Sequence, residues 1–188
     1  ELTAFVPSEA DLRLDWLTWD GAPDTVFDCR QGGDMPLRAW VSAADHFSAG
    51  GALSGYQIIK NEGEALLTQG EWSWSGYTVS AEVIPRLSRR SGLAACVRGL
   101  LRYVALILDR DHIIRLVEKR DGIESILAES HVRWDYGTRH ALSLTVSAQG
   151  ITASVDGCKL IAIGTDLPTR GAVGLLVDSG RVEFGPVA

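Results

Sequence analysis

The chain has 188 residues, of which 46% are hydrophobic and 22% are charged, values typical of a folded globular protein rather than a disordered one. The apolar run at residues 104–108 is far shorter than the roughly 20 residues of a membrane-spanning helix. The net charge of −6, without a basic cluster, argues against binding to nucleic-acid phosphates. We therefore expect no membrane and no nucleic-acid partner.

The first 70 residues show little regular hydrophobic periodicity and include a glycine-rich stretch at 48–55. Leu12, Leu14 and Trp16 alternate with polar residues, which favours a short strand at 12–16 over a helical turn beginning at Ser8. Further short strands are predicted at 25–29, 37–41, 55–60 and 64–68. We expect this part to supply edge strands of one sandwich or to form a small N-terminal extension over residues 1–54.

From residue 76 onward the dominant hydrophobic period is two, which is typical of strands with one buried face. Leu142, Leu144 and Val146 show this alternation, and Asp-Gly pairs at 121–122 and 156–157 indicate tight hairpin turns. The predicted strands are 76–84, 92–98, 101–109, 112–119, 123–129, 139–147, 150–156, 158–163, 172–177 and 181–187. Their number and spacing predict an all-β fold, an antiparallel two-sheet jelly-roll sandwich formed by residues 1–188 as one domain.

The three cysteines, Cys29, Cys96 and Cys158, do not have the spacing of a zinc site or of a disulfide framework. We expect apolar free thiols, with one disulfide plus one free thiol as the alternative. Such sparse cysteine usage favours a reducing, cytoplasmic compartment. The chain starts at Glu1 without a basic and apolar leader, so we interpret it as part of a longer protein.

No motif in the sequence assigns a catalytic residue or a cofactor. Glycoside hydrolysis needs two carboxyl groups across a cleft, and the one pair at strand spacing, Glu62 and Glu64, flanks a glycine that favours a solvated turn. Asp109 and Asp111 beside His112 leave calcium open as a ligand, although a polar hairpin turn is the simpler interpretation. We therefore predict no cofactor, no catalytic residue and no other metal.

Short motifs in the second half of the chain resemble the concanavalin A-like lectin and glucanase sandwiches of the laminin-G-like kind. They include Trp74 to Tyr77, Glu82-Val83, Gly92-Leu93, Tyr103 to Leu106, Trp134, Val155-Asp156-Gly157 and Gly171 to Leu175. The whole chain also resembles the C-terminal domain attached to some bacterial ADP-ribosylglycohydrolase-like proteins. This resemblance implies a sandwich that binds carbohydrate or an ADP-ribose-like sugar conjugate, or that contacts another domain of its parent protein.

The chain departs from related sugar hydrolases at two places. Such sandwiches often carry Arg where this chain has Cys96, and the related 3-keto-glycoside hydrolases carry Asn-Ser-Gly where this chain has Arg90-Ser91-Gly92. These departures weigh against a sugar-hydrolase site carried over from the resemblance.

Aromatic and arginine side chains form the best candidate binding site. Tryptophan rings stack on the apolar faces of sugars, whereas arginine donates hydrogen bonds to hydroxyl groups. The candidate ligand-binding residues are Trp74, Arg98, Arg102, Tyr103, Arg115 and Trp134. The run from 100 to 108 is almost continuously apolar, so a slip of one residue would exchange Arg102 and Tyr103 between the two sheet faces.

Together these patterns predict a non-catalytic binding or accessory domain of a larger bacterial protein. The alternative is a glycoside hydrolase or lyase on the same scaffold, which requires two carboxylates to converge in a groove. A third interpretation is a protein–protein module, which requires an exposed apolar patch of several hundred Å².

Overall fold

The computed structural model describes residues 13, 26–33, 35–131, 133–164 and 166–188. Its elements are a 3₁₀ turn at Cys29–Gln31, α1 (Met35–Arg38), β1 (His46–Gly50), β2 (Gly55–Gln69), β3 (Thr78–Gly99), β4 (Arg102–Asp109), β5 (Ile113–Arg120), β6 (Ile123–Ser130), β7 (His140–Ser147), β8 (Gly150–Val155), β9 (Cys158–Ala162) and β10 (Ala172–Phe184). No helix among these residues is long and apolar enough to cross a membrane. Apart from residue 13, the strand predicted at 12–16 lies outside the described residues.

The long strand β3 changes neighbours along its length and so connects two antiparallel layers, and the long strands β10 and β2 follow it through both. The start of β3, Thr78–Val83, pairs with β7, whereas its end, Arg90–Gly99, pairs with β4. β2 and β10 run beside each other and bend with β3, and the register of β10 shifts between Asp178 and Gly180. The first layer is therefore β1-β2-β10-β3-β7-β8-β9, and the second is β2-β10-β3-β4-β5-β6. This arrangement confirms the predicted all-β, antiparallel jelly-roll sandwich.

The main core lies between the two layers because alternate side chains of both point inward. Strands β7 and β8 contribute the inward sets Leu142, Leu144, Val146 and Ile151, Ala153, Val155. The second layer contributes Val104, Leu106 and Leu108 from β4 and Leu175 and Val177 from β10.

The strand predictions hold for β4 to β9 but divide the long strands wrongly. The segments 76–84 and 92–98 form one strand, as do 55–60 with 64–68 and 172–177 with 181–187. Residues 84–89 pair with β10 alone, so Pro85, which lacks a backbone N–H, lies in a stretch with only one strand neighbour.

Two N-terminal strand predictions are wrong. Residues 37–41 contain the end of the helical turn α1, and only Val41 forms a bridge, to Thr68. Of the segment predicted at 25–29, the described residues 26–29 contribute one bridge, from Phe27 to Val187, and Cys29 begins the 3₁₀ turn. Both segments are held by aromatic packing rather than by strand pairing, since Phe27 packs against Trp40 and Trp40 packs against Tyr56.

The three cysteines are free thiols, as the sequence favours. Cys96 is buried, and its Sγ donates to the carbonyl of Pro168 at 3.2 Å. Burial raises the pKa of this thiol to about 12. Cys29 and Cys158 are half-buried.

Candidate functional site

A row of charged residues crosses the second layer on the face that points away from the main core. Glu64 on β2 faces Asp178 on β10, Asp178 faces Arg90 on β3, and Arg90 faces Asp109 on β4. Cross-strand partners project from the same face of a sheet, so these four side chains lie side by side. We call the face they share the polar face.

The floor of the polar face is apolar and consists largely of small residues. Ile107, Val117 and Leu176 are fully buried there, although they point away from the main core. Between them lie the small residues Gly92, Ala94, Ala105 and Gly174. Small side chains leave room for long charged side chains to lie across the floor and cover it.

Glu64 is the centre of the charged network that covers this floor. Its Oε1 accepts hydrogen bonds from the Tyr103 hydroxyl at 2.5 Å and from the Lys119 ammonium at 2.7 Å. Arg90 Nη1 lies 3.8 Å from Oε2 of the same carboxylate, and Lys119 Nζ lies 5.4 Å from the Tyr103 ring centroid. Burial, and then the hydrogen bond to Glu64 and its negative charge, raise the pKa of the Tyr103 hydroxyl.

Contacts between residues that are far apart along the strands show that the polar face is concave. Arg90 on β3 is the cross-strand partner of Asp109 on β4. Asp109 lies six residues along β4 from Tyr103, which is about 20 Å on an extended strand. Arg90 Nη2 nevertheless donates to Glu124 at 2.7 Å, and Glu124 is the register neighbour of Lys119, which faces Tyr103. The two ends of the face must therefore curve toward each other.

An open recess of about 350 Å³ lies beside this network. Its lining is Arg89, Arg90, Asp109, Arg110, Asp111, Arg115, Glu124 and Asp178, and we call it the charged recess. Arg115 Nη1 donates to Asp109 at 2.5 Å, and Arg115 Nε donates to Glu129 at 3.5 Å. Arg90 Nε is buried without a hydrogen-bond partner among the described residues. The recess thus offers guanidinium donors next to carboxylate acceptors, the groups that hydrogen-bond ligand hydroxyls.

Four of the six predicted site residues lie on or beside the polar face. Arg115 lines the charged recess, and Tyr103 belongs to the Glu64 network. Arg98 and Arg102 line a separate recess, which also contains Tyr103, at the start of β4. Tyr103 therefore points to the polar face, which settles the ambiguous parity at 100–103.

Trp134 lies elsewhere, in the core. It is 1% exposed, and its ring is surrounded by His112, Tyr136 and His140 at centroid distances of 5.2, 4.9 and 6.1 Å. Both ring faces are covered in this structure, so no sugar can stack there, and we leave Trp134 out of the proposed site.

Trp74 is half-buried and supports the sandwich edge. Its ring contacts Tyr77 edge-on at 6.5 Å and covers Gly70, where an added Cβ would lie 2.3 Å from the ring. It packs against the main core from outside and lines a small apolar pocket of about 30 Å³ with Phe27 and Val187.

We expect Trp74→Ala to destabilise the fold by about 3 kcal/mol, the lower end of the range for a core tryptophan, because the side chain is only partly buried. Urea denaturation with tryptophan fluorescence measures this loss. The exposed Trp72→Ala is the matched control and should change the stability by less than about 0.5 kcal/mol. Unchanged stability in Trp74→Ala would show that the ring does not support the core.

Thr138, His140 and Asp156 have the spacing of a nucleophile, base and orienting acid. Thr138 Oγ1 and Asp156 Oδ2 each lie 2.7 Å from one of the two ring nitrogens of His140. However, the Thr138 hydroxyl also donates to the carbonyl of Asp135, at 2.5 Å, and a hydroxyl has only one hydrogen to give. The arrangement fastens the 133–139 segment to β7 rather than activating a nucleophile.

Sequence reasoning missed most of the network. Glu64 was expected in a turn with Glu62, yet β2 continues through both residues. Lys119, Glu124 and Asp178 became relevant only through the strand register, which brings residues of six strands together. The available signal was the polar residue at every second position of a strand. This pattern does not show which polar residues of different strands share a face.

A metal site finds no support among the described residues, which contain no group of three ligating side chains. Asp109 and Asp111 both line the charged recess, but they share it with four arginines. Asp109 is engaged by Arg115.

Comparisons with known proteins agree on the architecture. No family profile and no curated protein sequence matches the chain. Among solved structures, the carbohydrate binding module CBM66 from Bacillus subtilis matches with a TM-score of 0.69 and 15% identity, over 79% of this chain and 93% of that one. This chain has a concanavalin A-like jelly-roll fold.

Two further structures extend this likeness. A protein of unknown function with a galectin-like fold from Bacillus subtilis matches with a TM-score of 0.66 and 10% identity, over 90% of this chain and 96% of that one. Domain 4 of AbnA, a GH43 extracellular arabinanase from Geobacillus stearothermophilus, was solved with arabinotriose. It matches with a TM-score of 0.52 and 13% identity, over 79% and 81% of the two chains. At such identities the likeness concerns the fold alone.

Proposed function

We propose that this chain is a non-catalytic carbohydrate-binding domain of a larger protein and that its sugar binds in the charged recess. The observation that carries the proposal is the concave polar face, where arginines and carboxylates alternate around an open volume of about 350 Å³. Two structures of the same fold, CBM66 and the arabinotriose complex of AbnA domain 4, are sugar-binding proteins by their descriptions.

The geometry of the charged recess suits a polyhydroxylated ligand. Sugar hydroxyls both donate and accept, so they pair with guanidinium donors and carboxylate acceptors in the same recess. The Arg90 guanidinium lines the recess, where its Nη2 donates to Glu124 and its Nε lies 3.8 Å from Asp109 Oδ2. The ion pairs hold these groups in place, which reduces the entropy cost of ordering them when a ligand binds.

The hydrolase alternative requires two carboxyl groups that converge and one of them free to act as a general acid, and only the first requirement is met. Asp109 and Glu124 both line the charged recess, so two carboxylates do converge. Each is occupied, since Asp109 accepts from Arg115 and Glu124 accepts from Arg90. A general acid must give a proton to the leaving group, and these carboxylates act as acceptors for arginine instead.

Arg115→Gln is expected to weaken sugar binding about 10- to 100-fold, because hydrogen bonds to a charged donor contribute about 1.5–3 kcal/mol. A neutral glycan panel screened by thermal shift first identifies the ligand, and calorimetry then measures the dissociation constants. Arg133→Gln is the matched control, since Arg133 is exposed and its ion pair among the described residues is with Asp135, outside the recess. Equal affinity in the two variants would place the site elsewhere, and release of reducing ends from the panel would favour the hydrolase.

The same panel tests the finer ligand classes. ADP-ribose offers ribose hydroxyls and two phosphates, and binding of this ligand in preference to neutral glycans would support the ADP-ribose conjugate. Calcium is tested in the same way, with and without a chelator. The four arginines of the charged recess oppose a divalent cation, so we expect no calcium-induced shift there.

A second candidate function, docking on another domain of the parent protein, is favoured by one observation. Val41, Trp72 and Leu100 are exposed large side chains that line a mostly apolar groove of about 400 Å³. Exposed apolar patches of this kind mark interaction surfaces. Hydrogen exchange of the groove in the full-length protein and in the isolated domain tests the idea, and equal protection in both contradicts docking.

A further inference from the structure

A second polar recess, with a volume of about 270 Å³, lies where β4 begins and β5 ends. Four cations, Arg98, Arg102, Lys119 and Arg120, line it with two acids, Glu118 and Asp166. We call it the basic recess. Three of the four cations have an acid partner, Arg102 with Asp121, Lys119 with Glu64 and Arg120 with Glu118, so the recess is distinguished by its guanidinium donors rather than by a net charge.

Two of the arginines are placed against the electrostatic preference of a sheet. Arg102 on β4 is the direct cross-strand partner of Arg120 on β5. Like charges directly opposite each other destabilise a strand pair. Each is offset by its own acid, Arg102 by Asp121 at 2.6 Å and Arg120 by Glu118 at 2.8 Å. This pair of cations does not stabilise the sheet, whereas it would favour binding of an anionic ligand.

Several guanidinium donors of the basic recess remain unused. Arg98 makes one hydrogen bond, from Nε to the carbonyl of Arg170 at 3.3 Å, and forms no ion pair with another described residue. The Nη1 groups of Arg102 and Arg120 likewise have no hydrogen-bond partner in the described parts of the chain, because both arginines bind their acids through Nε and Nη2. Three guanidinium groups thus present free donors at one recess.

We propose that the basic recess binds an oxyanion, the phosphate or carboxylate group of an anionic sugar. Guanidinium groups pair with the planar or tetrahedral oxygens of such anions through parallel N–H donors. The volume is close to the lower end of the roughly 300–1,000 Å³ of small-molecule sites, so the recess suits one anionic ring or group rather than a long chain. That the anion is carried by a sugar rests on the proposed function, whereas the oxyanion site itself does not.

The test compares four ligands, with ¹⁵N NMR shifts giving both affinity and position: inorganic phosphate, glucose 1-phosphate, glucuronate and neutral glucose. We expect at least one oxyanion to bind at least tenfold more tightly than glucose and to shift residues around Arg98. Arg98→Gln should weaken this binding at least tenfold. Arg139→Gln, an exposed arginine paired with Glu82 on the other layer, should leave it unchanged. Raising the salt concentration should weaken it, because charge attraction is screened.

The outcomes separate the two proposals. Phosphate as the tightest ligand identifies a phosphorylated ligand, and glucuronate as the tightest identifies a sugar acid. Shifts confined to the charged recess, or equal affinity in Arg98→Gln and the folded wild type, overturn the oxyanion site. If neutral glycans fail to bind while phosphate shifts Arg98, the oxyanion site stands and the carbohydrate-binding proposal fails.

Discussion

Replacing Trp134 with alanine is expected to lower the free energy of unfolding by about 3–5 kcal/mol, the range for removing a buried tryptophan or phenylalanine from a core. Trp134 is 1% exposed and is the largest fully buried side chain among the residues that the structure describes. It stands between His112, Tyr136 and His140, so its loss leaves a void that three rings from two different chain segments would have to fill. Urea denaturation at equilibrium measures the difference.

Trp134→Phe is the matched control for this prediction. The indole N–H of Trp134 is buried without a hydrogen-bond partner among the described residues, so phenylalanine gives up no hydrogen bond. It keeps one aromatic ring between His112 and Tyr136 and should cost much less than alanine. If Trp134→Ala unfolds at the wild-type midpoint but no longer binds sugar, the ring is a binding platform and its placement in the core is wrong.

The strands that could be predicted well are those with one buried and one solvated face. In β7, Leu142, Leu144 and Val146 point to the core and their neighbours do not, so the period of two is visible in the sequence. β4 is different because Val104, Leu106 and Leu108 face the main core while Ala105 and Ile107 form the floor of the polar face. A strand buried on both faces loses its alternation, and its register cannot be read from the sequence.

The candidate site was predictable only in part, for a similar reason. Arg115 and Tyr103 were named because arginine and aromatic residues bind sugars in general, and the strand parity places both on the polar face. Glu64 could not be found, because its importance comes from Tyr103 and Lys119, which are 39 and 55 residues away in the chain. The residue type alone did not show whether Trp134 is buried or exposed, because core packing and sugar stacking both use the apolar ring of tryptophan.

Glu64→Gln is expected to destabilise the fold by up to about 3 kcal/mol, the lower end of the cost of breaking a buried ion pair. The substitution keeps the size of the side chain but removes the charge that holds the Lys119 ammonium, the Arg90 guanidinium and the Tyr103 hydroxyl together. The side chains of Glu64, Lys119 and Arg90 are 16–19% exposed, so water compensates for only part of the lost interaction. The network also covers the apolar floor of the polar face, and we expect its loss to weaken sugar binding in the charged recess as well.

Glu62→Gln gives the matched control for the Glu64 prediction, because Glu62 is on the same strand but exposed. It removes one negative charge from the same acidic chain, so a general effect of net charge would appear in both variants. We expect a change below about 0.5 kcal/mol for Glu62→Gln, and a difference between the two that persists at high salt, since partly buried pairs are screened less than exposed ones. Equal unfolding midpoints for the two variants would mean that the contacts of Glu64 contribute nothing beyond those of a surface acid, and that the polar face is held in shape by its backbone and its apolar floor alone.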